Sequence, residues 1–237
     1  MKRVLALAAL FLVGFAAPAF ALVTAPQTAG VSEVVRNAVL LTALAVAPSI
    51  FISTTSFVRI AVVLAMVRHA FGMPETPPNA VLVSLALLLT AFVMAPTFQA
   101  IDKNALEPLM RGDIGVDAAV AQGGAPLRHF MLAQVREEDL AAIYRITHSA
   151  PPHSPDDVDI VELAPAFMLN ELRVSFTIGF VILLPFLLID LVVSSILLSL
   201  GMMMVAPATI SLPIKLLMFV LIDGWALIIE GVVGGFR

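Results

Sequence analysis

The sequence has no cysteine and carries little charge. Charged side chains make up 13% of its 237 residues and aromatic side chains 7%, whereas hydrophobic residues reach 60%. The lack of cysteine excludes disulfides, thiolate nucleophiles and cysteine-ligated zinc. Soluble domains carry about 25% charged residues, so this chain has about half the charge that a water-facing surface needs. Disorder is excluded too because it requires low hydrophobicity, and we therefore expect an integral membrane protein.

Motifs for nucleotide binding and hydrolysis are also missing. The sequence contains no G-x-x-x-x-G-K-[ST], G-x-G-x-x-G, G-x-S-x-G or H-E-x-x-H pattern, so it predicts no cofactor and no enzymatic activity. The net charge of −4 argues against nucleic-acid binding, which favours a basic surface.

The first 21 residues have the pattern of a signal peptide. Lys2 and Arg3 make the start of the chain basic, and residues 4–15 are apolar. Residues 19–21 read A-F-A, the small-residue form of a cleavage site. We expect cleavage after Ala21 and a mature N-terminus outside the cytoplasm of a bacterial cell. The alternative is an uncleaved N-terminal anchor.

Four apolar segments follow, and each is long enough for a membrane-spanning helix of about 20 residues. They suggest one helical hairpin within residues 22–101 and a second within residues 165–237. Between them lies an acidic extracytoplasmic domain, residues 102–164, and its residues 102–162 hold 16 of the chain's 30 charged residues. The predicted spans are residues 38–66, 79–100, 167–199 and 207–232.

Local signals predict two helices in the acidic domain. Pro126 suits the first turn of a helix over residues 126–149, and Gly123-Gly124 would end a shorter helix over residues 117–122. With the N-terminus outside, the first hairpin tip near Arg68 faces the cytoplasm, in agreement with the positive-inside rule.

Prolines and isolated charges interrupt the apolar segments. A proline disrupts a helix at its position, and a charge at the centre of a span costs on the order of 2.5–3.5 kcal/mol on insertion scales. Two hairpins cannot cover all these groups, so we infer a multi-subunit assembly; the alternative is a kinked four-helix bundle that covers them alone. The prolines are Pro48, Pro96, Pro185, Pro207 and Pro213, and the charges are Arg59, Asp190, Lys215 and Asp223.

Three consecutive methionines, Met202, Met203 and Met204, stand between Gly201 and Pro207. Neighbouring helical residues point about 100° apart, so the three cannot share one helix face and are expected on a loop or a helix break. A ring of such loops would form an apolar constriction that closes a pore to water and ions. The alternative is that the flexible methionines fill gaps in a core.

Two groups of polar residues could serve in catalysis, proton transfer or metal binding, but we favour a structural role for each group. Asp190 and Asp223 would suit an intramembrane protease or the proton relay of a solute transporter, but Lys215 is an equally good partner for either. A second group has ligand-type side chains, yet its spacing fits no standard metal pattern, and a solvated acidic loop is expected. That group is His148, His153, Asp156, Asp157 and Asp159.

Several long motifs carry a resemblance to a known family. They are residues 165–180 (PAFMLNELRVSFTIGF), 201–213 (GMMMVAPATISLP) and 221–225 (LIDGW), with shorter matches at residues 55–60, 77–79 and 126–128. These motifs and their order resemble the flagellar biosynthetic protein FliP family, whose methionine loop corresponds to residues 201–213. The chain departs from the family at Asn170, where a hydroxyl residue is usual, and at Ala206, where a second proline is common.

The resemblance implies an all-α membrane protein with two long kinked helical hairpins and a small helical extracytoplasmic insert, packed in a multi-subunit helical or ring assembly. Copies of the chain, with FliQ-like and FliR-like membrane proteins, would form the export gate of the flagellar basal body in the bacterial inner membrane. Unfolded flagellar subunits would pass through it, driven by the proton motive force and a cytoplasmic ATPase. An alternative is the equivalent subunit of a virulence injectisome.

The resemblance also implies roles for specific residues. Met202–Met204 would contribute to the closed gate. Glu171 and Arg173 stand two positions apart and do not face each other on a helix, so each needs another partner. The residues expected in buried or inter-subunit contacts are Arg59, Glu171, Arg173, Asp190, Lys215 and Asp223.

Overall fold

The computed structural model describes residues 31–73, 75–150, 152, 154 and 157–236. In this part of the chain the secondary structure is helical and contains no strand, which confirms the predicted all-α class. The predicted signal peptide of residues 1–21 and its cleavage after Ala21 lie outside the described residues.

Ten α-helices and one π-helical turn follow one another in the described residues. They are α1 (Val31–Thr54), α2 (Phe57–Ala70), α3 (Asn79–Val93), α4 (Ala95–Ile101), the π-helical turn (Asp102–Leu106), α5 (Glu107–Arg111), α6 (Val116–Gln134), α7 (Glu137–Thr147), α8 (Ile160–Ser199), α9 (Pro207–Leu221) and α10 (Gly224–Val233).

These elements belong to two compact units. The described residues of the first are 31–55 and 94–130, with α1, α4, the π-helical turn, α5 and most of α6. The second comprises residues 56–93 and 131–237, with α2, α3, the end of α6, and α7 to α10. The sequence-based division at residues 101/102 and 164/165 remains a prediction.

The core of the second unit is built around α8, which is 40 residues long. Its N-terminus is capped by Asp159, whose side chain accepts a hydrogen bond from the backbone N–H of Val161. The helix packs against α2, α7 and α9. Because the buried apolar residues of α2 recur at helical spacing, they form one face toward this core. These α2 residues are Ile60, Val63, Leu64 and Val67.

Local signals in the acidic insert proved misleading. The predicted helix end at Gly123-Gly124 and the predicted helix start at Pro126 are both wrong, because α6 continues through all three residues to Gln134. Gly123 instead permits close packing: a Cβ added there would lie 3.3 Å from the Cβ of Ala105. The predicted helix over residues 126–149 is interrupted at residues 135–136, before α7 begins.

One helix in the described residues, α8, is long and apolar enough to cross a membrane by itself. Three further helix pairs would each qualify as one span despite a break, which gives up to four spans. The first of these breaks follows Thr54, and the hydroxyls of Thr54 and Thr55 donate to the carbonyl oxygens of Ile50 and Phe51. Such bonds to the preceding turn often bend helices. In the last pair, α9 and α10 meet at an angle of 66°.

Candidate functional site

Arg59 and Glu171 form a buried ion pair between α2 and α8. The Nε of Arg59 donates to Oε2 of Glu171 at 2.8 Å, and Nη2 donates to Oε1 of the same carboxylate. The side chains are 2% and 0% exposed, respectively. Two parallel bonds from a planar guanidinium fix geometry as well as charge, so the pair sets the register between these helices.

Arg59 also binds two further segments of the second unit. Its Nη2 donates to Oε1 of Gln134 at 3.3 Å, and its Nη1 donates to the carbonyl oxygen of Gly235 at 3.1 Å. The ring centroid of Phe236 lies 3.8 Å from Cζ, at cation–π distance. Sequence reasoning did not find Gln134, Gly235 or Phe236 as partners, because no local pattern links them to Arg59.

A second ion pair joins α7 to α8. Arg173 donates from Nη1 and Nη2 to the two carboxylate oxygens of Asp139, both at 2.6 Å. Asp139 is buried, and Nε of Arg136 lies 3.6 Å from its Oδ2. The structure thus places Glu171 and Arg173 with different partners. Asp139 went unnoticed in the sequence because it sits in a run of three acidic residues, which is typical of a solvated helix start.

Lys215 of α9 pairs with Asp190 of α8. Its Nζ donates to Oδ2 of Asp190 at 2.7 Å and to the carbonyl oxygen of Ala70 at 3.3 Å. The lysine side chain is 6% exposed, whereas the aspartate side chain is 41% exposed. Both residues line a cavity of about 240 Å³. Its other lining residues are Phe71, Gly72, Pro207, Ala208, Ser211 and Leu212.

Asp223 lies apart from this pair, at the corner between α9 and α10. It is exposed and makes no ion pair with any described residue. Its backbone is left-handed, with φ 51° and ψ 54°, a conformation that Asp adopts more readily than most residues. The next residue, Gly224, packs so closely that an added Cβ would overlap the ring of Phe219.

The methionine triplet lies in the turn between α8 and α9. Gly201 adopts φ 74° and ends α8, where its N–H donates to the carbonyl oxygen of Leu198. The N–H of Met202 donates to the carbonyl oxygen of Leu197, which completes a Schellman motif. Met202, Met203 and Met204 are 44%, 80% and 101% exposed, so they do not fill the core of the chain to which they belong.

No group of three or more metal-ligating residues occurs in the part of the chain that the structure describes. Of the histidines and aspartates considered from the sequence, His148, Asp157 and Asp159 lie within that part, and His153 and Asp156 lie outside it.

Comparison with known proteins gives a consistent result. The sequence profile of the FliP family matches residues 40–232. The flagellar biosynthetic protein FliP of Caulobacter vibrioides is 48% identical over 210 residues, which cover 88% of this chain and 79% of that protein. The protein of the same name from Bacillus subtilis is 46% identical over 206 residues, which cover 87% and 93%. The chain therefore belongs to the FliP family.

Proposed function

We propose that this chain is a subunit of the gate through which bacteria export the proteins of the flagellum. Its relatives are named flagellar biosynthetic proteins, and the match extends over most of both chains. The all-α structure with up to four apolar spans suits a membrane assembly. The gate is a conduit rather than an enzyme, and its substrates are unfolded flagellar subunits.

The observation that carries this proposal is the methionine turn. Met202, Met203 and Met204 project from a turn that a Schellman motif holds at the end of α8. Their side chains are apolar, unbranched and adaptable, so turns from several copies form a deformable apolar constriction. Such a constriction shuts a pore to water and ions and still yields to a passing polypeptide.

The exposed surface of α8 supports an assembly of several subunits. Large apolar side chains project from it, and protein or lipid must cover so large an apolar surface. They include Phe176, Phe180, Val181, Leu188 and Leu191. Further copies of this chain, together with FliQ-like and FliR-like membrane proteins, cover this surface in the gate. The assembly belongs to the flagellar basal body in the inner membrane, with the N-terminus and the insert outside the cytoplasm.

The decisive experiment compares two triple substitutions of the turn. Replacing Met202, Met203 and Met204 by alanine removes the apolar bulk, and replacing them by leucine retains it. We expect the alanine variant to leak small ions through the resting gate and the leucine variant to remain closed. The measurement is ion flux across vesicles that contain the purified complex, with complex size as a control for assembly.

A complementation assay tests the flagellar assignment itself. The unsubstituted chain should restore motility and secretion of flagellar subunits to a strain that lacks its own family member. An alanine variant that assembles and leaks no more than the unsubstituted chain would contradict the gate, and a lack of complementation would contradict the flagellar role.

A further inference from the structure

We propose that Asp223 of one copy forms an ion pair with Arg68 of the neighbouring copy. The inference rests on the proposed multi-copy gate and adds the specific contact that joins adjacent subunits. It is carried by two opposite charges of the second unit that have no charged partner among its described residues.

The first of these charges is the carboxylate of Asp223. The residues around it in sequence are large, apolar and exposed, so this corner of the molecule is an apolar surface with one acidic group. The exposed apolar neighbours are Val220, Leu221, Ile222 and Leu227. When a partner covers such a surface, the carboxylate loses water and needs a cation in return.

The second charge is the guanidinium of Arg68, in the last turn of α2. Its Nη1 donates to Oδ1 of Asn79, whereas its Nε is buried and has no hydrogen-bond partner among the residues that the structure describes. No described carboxylate lies within ion-pair distance of it. A guanidinium has five N–H donors, so Arg68 retains the capacity to bind a carboxylate.

A chain of aromatic contacts connects the two segments that carry these groups. The ring centroids of Phe71, just after α2, and Phe219 lie 4.9 Å apart, and those of Phe219 and Trp225 lie 5.4 Å apart. Phe71 follows Arg68 by one helical turn, and Trp225 follows Asp223 by two residues. The segments that carry Arg68 and Asp223 thus belong to one packed region, and we infer that they meet across the boundary between neighbouring copies.

The other described lysines and arginines of α2, α8 and α9 already have a carboxylate partner. Arg59, Arg173 and Lys215 each bind a carboxylate of their own copy. Among the described lysines and arginines of α2, α8, α9 and α10, Arg68 alone lacks such a partner. A contact in which two different surfaces of one chain meet is heterologous, and repetition of it produces a ring or a helix.

A charge swap tests the pair, with size-exclusion chromatography of the membrane complex as the measurement. Asp223→Arg and Arg68→Asp should each lower the yield of the multi-copy complex about tenfold, and the two together should restore it. Glu230 is the matched control because it lies on α10 seven residues, or about 10 Å, beyond Asp223. Glu230→Arg combined with Arg68→Asp should give no restoration. Equal yields for all variants would overturn the pair.

Cysteine cross-linking tests the pair without reversing any charge, and the chain has no cysteine of its own. A chain with Arg68→Cys and Asp223→Cys, treated with a short bismaleimide, should give a ladder of covalent multimers. Arg68→Cys with Ile146→Cys, at an exposed position of α7, should give none. A multi-copy complex without the Arg68–Asp223 ladder would overturn the pair and leave the gate intact. The absence of any multi-copy complex from the unsubstituted chain would overturn both.

Discussion

Both carboxylate oxygens of Glu171 accept hydrogen bonds from Arg59, and neither side chain is more than 2% exposed. The two residues are 112 positions apart in the chain, and their ion pair joins α2 to the central helix α8. Since a buried charge is tolerated when its remaining hydrogen-bonding capacity is satisfied, the contacts of Arg59 with Gln134 and Gly235 explain why it can lie in the interior.

Removing one member of this pair should strongly destabilise the second unit. Arg59→Met leaves Glu171 buried without its cation, and we expect the free energy of unfolding to fall by about 3–5 kcal/mol. Thermal unfolding of the purified protein measures the effect. Arg59→Met combined with Glu171→Met should recover part of the loss because no buried charge remains. The matched control is Arg111→Ala, which removes an exposed pair with Glu107 and should cost less than about 0.5 kcal/mol. A small effect of Arg59→Met would contradict the structural role of the pair.

The pair of Lys215 and Asp190 should respond asymmetrically to substitution. Asp190→Ala leaves a buried ammonium with only the carbonyl oxygen of Ala70, whereas Lys215→Met leaves a carboxylate that is 41% exposed and faces a cavity. We therefore expect Asp190→Ala to cost about 3 kcal/mol and Lys215→Met about 1 kcal/mol or less. Denaturant titration of both variants provides the comparison, and equal losses would refute the asymmetry.

Gly224 should not tolerate a side chain. A Cβ at this position overlaps the ring of Phe219, which is held by edge-on contacts with Phe71 and Trp225 and cannot move aside freely. We expect Gly224→Ala to cost about 1–3 kcal/mol, as overpacking usually does. The control is Gly231→Ala in the same helix, where an added Cβ meets nothing within 4 Å. That change should be neutral or stabilise the protein by up to about 1 kcal/mol in thermal unfolding.

Phe236 should stabilise the protein through its aromatic ring as well as through its apolar surface. Phe236→Leu retains most of the apolar bulk but removes the cation–π contact with Arg59. We therefore expect the free energy of unfolding to fall by about 0.5–2 kcal/mol. Phe176→Leu, at an exposed position of α8, serves as the control in the same unfolding assay. If the two substitutions have the same effect, the ring makes no specific contribution.

Sequence patterns predicted the features that depend on composition and local chemistry. Apolar runs predicted the helices, and Gly201 before three methionines predicted a turn at that point, because three neighbouring methionines cannot share one face of a continuous helix. The same rules failed in the insert, where Gly123 and Pro126 lie inside α6. There, tight packing against Ala105 explains Gly123, and Pro126 lies inside the helix although it removes one backbone donor.

Partner identities could not be predicted to the same degree. Lys215 had two equally suitable aspartates, and only the packing of α9 against α8 decides for Asp190. Asp139 was hidden in an acidic run, since its burial depends on how α7 lies against α8. Contacts of this kind join residues tens of positions apart, and the periodicity of a sequence does not predict them.

The environment of Arg59 has a consequence for synthesis of the protein. Its carboxylate partner Glu171 leaves the ribosome 112 residues later, and the carbonyl group of Gly235 follows 176 residues later. During elongation, α2 therefore carries a guanidinium whose final ligands do not yet exist. Until translation has passed Gly235, water, lipid headgroups or another protein must solvate this charge, so α2 can reach its final apolar environment only after the rest of the second unit has been made.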